Sequence, residues 1–309
     1  MTIGVFIDGG HGTTGLEIAD RLDGRDDIAL IVLDDAHRKD DAARRAALND
    51  ADFVILCLPD DASRDAVGMI SSAKTRVIDA SSAHRVADGW TYGFAELEAD
   101  QQAVIAAAPR VTNPGCYPTG FLALVRPLVR AGLIPTSWPL SVNALSGYSG
   151  GGKAMIAEFE GGESPTRARA YGLDLAHKHI AEMRRHAGID HLPIFQPGVA
   201  DTYRGMIVEV PLPLHALPGK PTLAQVEAVL TDAYKGSPLV RIASGDVKFV
   251  RIEDDAGTDR LTLRVCGNDA TGQARLIATL DNLGKGAAGA AVQNLNIMAG
   301  FDATVGLTL

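Results

Sequence analysis

Ile3-Gly4-Val5-Phe6-Ile7-Asp8-Gly9-Gly10-His11-Gly12-Thr13-Thr14-Gly15-Leu16-Glu17-Ile18 is the stretch whose reading decides the fold. A short apolar run with no helical period is followed by Gly10-x-Gly12-x-x-Gly15, and then by apolar residues at helical spacing. The order is strand, glycine loop, helix. Glycines at these positions allow a tight turn and let a pyrophosphate approach the free amides at a helix N-terminus, with Thr13 and Thr14 in the first turn. A bare turn of this composition would also join a strand to a helix without any ligand; the strand before it and the helix after it favour a dinucleotide.

Working outward, further apolar runs at 29–33, 53–58 and 76–78 alternate with amphipathic stretches at 14–22, 41–48 and 62–72. Continuous apolar strands alternating with helices predict a doubly wound parallel sheet covered on both faces. After residue 116 the pattern changes. A helix is expected over 116–131. Strands are expected at 140–145, 205–210, 248–252, 261–266 and 276–280, and a helix over 223–234 capped by Thr222. The chain therefore reads as two domains, 1–115 and 116–284. The second is of the α+β class, and an Ala/Gly-rich helix within 285–309 is expected to return to the first.

The 309 residues suffice for two ordinary domains. A formal charge of −9 argues against nucleic acid as a partner, because phosphate backbones need basic patches. It leaves room for a small anionic substrate held by local Arg and Lys. No apolar run reaches the roughly eighteen residues of a membrane span, and the N-terminus lacks the order of a signal peptide. Three cysteines, an odd number, read as free thiols of a cytoplasmic protein.

Asn113-Pro114-Gly115-Cys116-Tyr117-Pro118-Thr119-Gly120 carries the chemistry. Pro and Gly force a turn and a helical run follows, so Cys116 falls at a helix N-terminus, where the dipole favours a thiolate. Cys57 and Cys266 lie in apolar strands and read as packing residues. A nucleophilic thiol needs a proton acceptor nearby, and His177-Lys178-His179-Ile180-Ala181-Glu182 offers two imidazoles and a carboxylate. A helix starting near His179 would put His179 and Glu182 on one face, with Glu182 orienting an imidazole. A metal site ranks low, since no third protein ligand is close in sequence.

Two more segments matter. Residues 146–153, SGYSGGGK, could approach a nicotinamide or an anion through backbone amides, at Ser149 and Gly150 in particular. Residues 79–85, DASSAHR, follow the fourth strand at the carboxyl end of the sheet, where Ser81 and Arg85 are candidates to hold a substrate, Arg85 by gripping phosphate bidentately. Asn113 is a candidate oxyanion donor beside the Cys116 amide. At the end of the second strand, Asp34 and Asp35 favour NAD, whereas Arg38 and Lys39 could hold the 2′-phosphate of NADP. The residues leave that choice open.

Together, Asn-Pro-Gly-Cys-Tyr-Pro-Thr-Gly at 113–120 and His-x-His-x-x-Glu at 177–182 resemble the N-acetyl-γ-glutamyl-phosphate reductase family. The start of the chain, residues 146–153, and KGAAG at 285–289 with VQNLN at 292–296 resemble its shorter subgroup. The likeness runs from residue 3 to beyond residue 296. It departs at Ala181, where many members have proline. The resemblance implies a Rossmann domain joined to a domain like that of glyceraldehyde-3-phosphate dehydrogenase, NADP as cofactor, and a homodimer or homotetramer. It implies reduction of the acyl phosphate N-acetyl-L-glutamyl 5-phosphate to the semialdehyde in arginine biosynthesis, through a thioester on Cys116, with His179 rather than His177 as acid/base. By the same likeness Arg85 binds phosphate and Asn294 lies near the nicotinamide amide. The alternatives are aspartate-semialdehyde dehydrogenase, a carrier-linked reductase of lysine biosynthesis with the same mechanism, or an NADP-binding regulator without catalysis.

Overall fold

Apolar tetrapeptides dictate the first sheet. In the computed structural model, which describes residues 2–245 and 247–309, strands β1 (Ile3–Asp8), β2 (Ile28–Ile31), β3 (Phe53–Leu56), β4 (Arg76–Asp79), β5 (Thr91–Tyr92) and β6 (Arg110–Thr112) pair entirely in parallel, in the order β2-β1-β3-β4-β6-β5. Helices α1 (Thr13–Leu22), α2 (Asp41–Asp50), α3 (Asp60–Met69) and α4 (Gln101–Ala107) connect them. Successive strand residues point to opposite faces. Val5, Phe53, Ile55, Ile78 and Val111 therefore join one core with Ile18, Leu22 and Ile105, while Phe6, Val54, Leu56 and Val77 join another with Ala47, Leu48 and Ala66. Both faces of the sheet are thus buried. The strand order reverses beside β1, and this is where an open α/β sheet leaves a crevice at its carboxyl end.

The chain divides into two compact units: Met1–Ala95 with Asp100–Pro114 and Ala287–Leu307, and Glu96–Ala99 with Gly115–Gly286 and Thr308–Leu309. Relative to the expected boundaries, residues 96–99, 115 and 285–286 and the last two residues fall in the second unit. Tertiary bonds account for this. Glu98 pairs with Arg126 and Arg130, and Asp259 exchanges two hydrogen bonds with Thr308.

The second unit contains helix α5 (Cys116–Arg130), strand β7 (Ser141–Gly147), helix α6 (Gly152–Glu160), strand β8 (Ala168–Ala170), helix α7 (His179–Ala187), strands β9 (Ile194–Ala200) and β10 (Met206–Leu212), helix α8 (Leu223–Ala233), and strands β11 (Val240–Ile242), β12 (Leu261–Asn268) and β13 (Gln273–Leu280). Its mixed sheet runs β11-β12-β13-β10-β7-β9-β8. Helix α5 lies tight on this sheet at Gly120, where an added Cβ would stand 2.8 Å from Val208 Cγ2. The strand expected at 248–252 is absent: Phe249 is 73% exposed, and the parallel partner of β12 is instead Val240–Ile242.

The last helix, α9 (Gly289–Ala299), follows a π-helical turn at Gly284–Ala288, so the expected continuous helix is broken at its start. Val292, Leu295 and Met298 pack onto the first unit's sheet beside Ile18 and Ile105. Arg76 ties the helix ends there, donating to the carbonyls of Ala106, Ala108 and Met298. No helix among the described residues is long and apolar enough to cross a membrane.

Candidate active site

The glycine loop is built by exclusion of side chains. Gly9 has φ +85°, a conformation that favours glycine. A Cβ on Gly15 would lie 2.6 Å from the Gly9 oxygen and 2.7 Å from Gly10 Cα, so the helix start packs directly on the loop backbone. Gly12 is the N-cap of α1; no side chain caps the helix and no acidic residue stands in its first turn. The first-turn amides of Thr13, Thr14 and Gly15 thus present positive potential at the carboxyl end of β1.

Beyond β2, Asp34 and Asp35 are both already engaged. Asp34 Oδ1 accepts the amides of Ala36 and His37 and lies 2.7 Å from His37 Nδ1, which holds its carboxyl below the usual range. Asp35 accepts from Arg38 Nε at 2.8 Å and lies 3.7 Å from His11 in the glycine loop. Asp8, at the end of β1, is buried and paired with Arg44 at 2.8 Å.

Asp79 closes β4 and organises the loop that follows. Fully buried, it accepts from Ser63 Oγ, from the Ser81 amide and hydroxyl, and lies 2.6 Å from His84 Nδ1. Ser81 Oγ also accepts the Ala83 amide, so this hydroxyl shapes the loop. Arg85 is buried and donates to the carbonyls of Asn113 and Ala80. The Asn113 side chain is engaged at both ends, donating to the Ala287 carbonyl and accepting from Asn294 Nδ2, which also donates to Gly93. The Ser81 and Asn113 side chains are thus held by hydrogen bonds within the first unit. Two buried acceptors at the same end of the sheet, Asn294 Oδ1 and Thr112 Oγ1, have no hydrogen-bond partner among the described residues. An orphaned buried polar atom is rare enough to suggest a ligand.

In the second unit, Cys116 is the first residue of α5 after the extended N-cap Gly115. Thr119 returns its amide and hydroxyl to the Gly115 carbonyl. Glu182 is buried on α7, and its Oε1 accepts the Gly115 amide at 2.7 Å. The carboxylate expected to orient an imidazole grips the backbone immediately before the cysteine. His179 starts α7, as the spacing predicts, and is buried. Its ring lies 4.6 Å from that of His177, whose Nδ1 accepts the His179 amide.

Aromatic residues enclose this pair. Phe195 meets His177 edge-on at 5.2 Å and Tyr117 at 5.1 Å. Tyr117 donates to the Gly198 carbonyl and accepts from the Tyr171 hydroxyl, both at 3.0 Å. Burial, then the neighbouring Tyr171 and Cys116, raise the Tyr117 phenol well above its ordinary value; burial and Cys116 push Tyr171 up to about 12 against the opposing effect of the Tyr117 hydrogen bond. Both phenols therefore stay neutral near pH 7. Sequence reasoning missed Tyr171 and Phe195, which lie far from the cysteine in the chain; the Tyr beside Cys116 was the only local hint.

Ser149 and Gly150 belong to this unit as well. Ser149 is buried and accepts from Asn282 Nδ2, while Gly150 is exposed in a short 3-10 turn. The other cysteines differ from Cys116 in setting. Burial first, with Asp79 and Asp8 adding to it, pushes the Cys57 thiol up to about 12. Cys266 sits on β12 opposite Arg275.

Comparison with known proteins places this geometry. Residues 33–105 match the semialdehyde dehydrogenase NAD binding domain, and residues 116–282 match the semialdehyde dehydrogenase dimerisation domain. The first unit is thus a nucleotide-cofactor domain and the second a domain of an oligomerising type. An N-acetyl-gamma-glutamyl-phosphate reductase from Brucella anthropi is 52% identical over 305 residues, covering 96% of this chain and 98% of its own length; one from Brucella ovis is 51% identical with the same coverage. Among solved structures, a probable aspartate-semialdehyde dehydrogenase from Pseudomonas aeruginosa has a TM-score of 0.73 at 18% identity, covering 97% of this chain and 99% of that one. Aspartate semialdehyde dehydrogenase II from Vibrio cholerae has a TM-score of 0.71 at 16% identity, covering 97% and 98%. Those likenesses show the fold, and the close relatives show the rest: the chain belongs to the N-acetyl-gamma-glutamyl-phosphate reductase family of semialdehyde dehydrogenases.

Proposed function

We propose that this protein reduces N-acetyl-L-glutamyl 5-phosphate to N-acetyl-L-glutamate 5-semialdehyde, releasing phosphate, with NADPH as reductant. The observation that carries this reading is Cys116 at the first position of α5, directly after the Gly115 amide that Glu182 holds and directly before Tyr117, whose ring lies 5.9 Å from that of His179. A helix N-terminus favours negative charge, so it supports the thiolate that must attack the acyl carbon. As the C–S bond forms, the C–O bond to phosphate breaks and phosphate leaves with the electron pair, giving a thioester. NADPH, when bound, supplies the hydride. His179 is the proposed acid/base: it protonates the oxygen as the hydride arrives and takes that proton back as the C–S bond breaks, so that the thiolate is restored and the aldehyde departs. The Cys116 amide is the proposed oxyanion donor. Arg85, an always-charged fork, is the proposed phosphate ligand.

The residues of the first unit suit a dinucleotide. The cradle leaves no room for a side chain at Gly9 or Gly15 and little at Gly10, and the first-turn amides of α1 are the proposed pyrophosphate donors. The open acceptor Asn294 Oδ1 suits a carboxamide N–H. Asp34 is engaged by His37 and Arg38 by Asp35, so the proposal of a 2′-phosphate on Arg38 rests on the family likeness. Ser149 and Gly150 stay cofactor candidates on the family likeness, the Ser149 amide being given to the Tyr203 carbonyl and its hydroxyl accepting from Asn282. For the oligomer, we propose a homodimer or a dimer of dimers. The sheet face opposite α5 supports this reading, since it carries the half-buried Leu145 and Ile207 beside a Glu209–Arg275 pair.

The test is NADP reduction with N-acetylglutamate semialdehyde, with and without phosphate, against aspartate semialdehyde as the rival substrate. Cys116→Ser is expected to keep NADPH binding and lose about a thousandfold or more in turnover. Near wild-type turnover would end the thioester route. His179→Asn is expected to slow turnover and flatten its pH profile; an unchanged profile would move the role to His177.

A further inference from the structure

Cys116 rests against a residue that has no side chain. A Cβ built on Gly286 would lie 2.9 Å from Cys116 Cβ and 3.0 Å from the Asp281 carbonyl oxygen, whereas real Cβ atoms essentially never come within 3.0 Å. The need is for space and not for conformation, because Gly286 does not lie at positive φ. The segment that carries it is anchored on both sides. Its own amide donates to the Asp281 carbonyl at 2.9 Å. The Asp281 carboxylate is fully buried, accepts the amides of Leu283, Gly284 and Gly257, and faces Arg204 at 3.5 Å. Lys285, between the two glycines, is buried and paired with the buried Glu96 at 2.7 Å. Gly284 is equally confined, since a Cβ there would lie 3.0 Å from Asp259 Oδ1. A segment with charge-assisted bonds at both ends resists displacement in a low-dielectric interior.

We propose that Gly286 is a positioning residue for Cys116: the rigid backbone at 284–286 forms the wall behind the nucleophile and sets where its sulfur points. Glu182 fixes the chain before the cysteine and Gly286 fixes the space beside its Cβ, so the sulfur is held from two directions. The effect on turnover rests on the thioester reading above; the effect on thiol reactivity does not.

The experiment compares full-length wild type with Gly286→Ala. Alkylation of Cys116 by iodoacetamide is followed by peptide mass, alongside kcat, KM and thermal midpoint. Displacing a reacting atom by an ångström costs about a hundredfold, so kcat is expected to fall by that order while KM moves less than about threefold, and alkylation to slow by about tenfold. A folded Gly286→Ala protein alkylated at the wild-type rate overturns the proposal. Slowed alkylation together with a wild type inactive on the N-acetylglutamyl substrate would sink the reductase reading and leave the positioning intact. If Gly286→Ala does not fold, Asp281→Asn carries the test, read by hydrogen exchange of the peptide spanning 281–288. Faster exchange with slower Cys116 alkylation is expected; unchanged alkylation, or unchanged exchange, overturns it.

Discussion

Replacing Gly15 with alanine probes the cofactor loop without removing any polar group. The new Cβ would start 2.6 Å from the Gly9 oxygen and 2.7 Å from Gly10 Cα. Relieving the first contact to the 3.4 Å of ordinary van der Waals distance asks the start of α1 to retreat by about 0.8 Å. Overpacking of this kind costs about 1–3 kcal/mol, offset by about 1 kcal/mol because alanine suits a helix better than glycine. The net loss of stability is therefore small, on the order of 0–2 kcal/mol. Binding suffers more. An amide-to-phosphate bond of about 2.9 Å lengthened by that retreat leaves the hydrogen-bonding range, and a bond to a charged group is worth about 1.5–3 kcal/mol. Losing one such bond weakens NADPH by roughly ten- to a hundredfold. Fluorescence titration of NADPH, with a thermal melt as control, measures both quantities. A dissociation constant within twofold of wild type in a folded variant would refute the reasoning, because either the helix start absorbs the methyl or its amides do not meet the phosphates.

Two further outcomes follow from perturbed groups. At pH 8 iodoacetamide is expected to modify Cys116 and spare Cys57, whose thiol, pushed up to about 12, stays protonated there; comparable modification of both would contradict the distinction. Burial pushes the Glu98 carboxyl up, but the hydrogen bonds and charges of Arg126 and Arg130 together draw it below its ordinary value. A depressed carboxyl contributes stability above its unfolded value of about 4.3 and loses it as pH falls through the folded one. Glu98→Gln should therefore lower the thermal midpoint at pH 7, with the gap to wild type narrowing as pH falls below about 4; a gap that does not narrow on acidification would show that the deficit is not electrostatic.

Much of the site was legible because its parts are local. Gly10–Gly15 and Asn113–Cys116 each combine a turn and a helix start within a few residues, and backbone sterics force that geometry wherever the segments lie. The His179–Glu182 spacing likewise predicted a helix face. The same local reasoning failed at 248–252, where the expected strand does not form. It also gave no reason to see that Ser81 is drawn to Asp79 or that Asn113 is matched to Asn294, since hydrogen bonds depend on which groups the fold brings near.

By itself, then, the sequence determined the elements whose conformation is decided within one turn: the glycine cradle, the cysteine at the head of a helix, and the paired imidazoles. Only the tertiary structure decided that Glu182 holds the Gly115 amide, that Tyr171 reaches Tyr117, and that Gly286 backs Cys116 from 170 positions away. Those contacts depend on packing between segments remote in the chain, and neither propensity nor periodicity carries information about such distances.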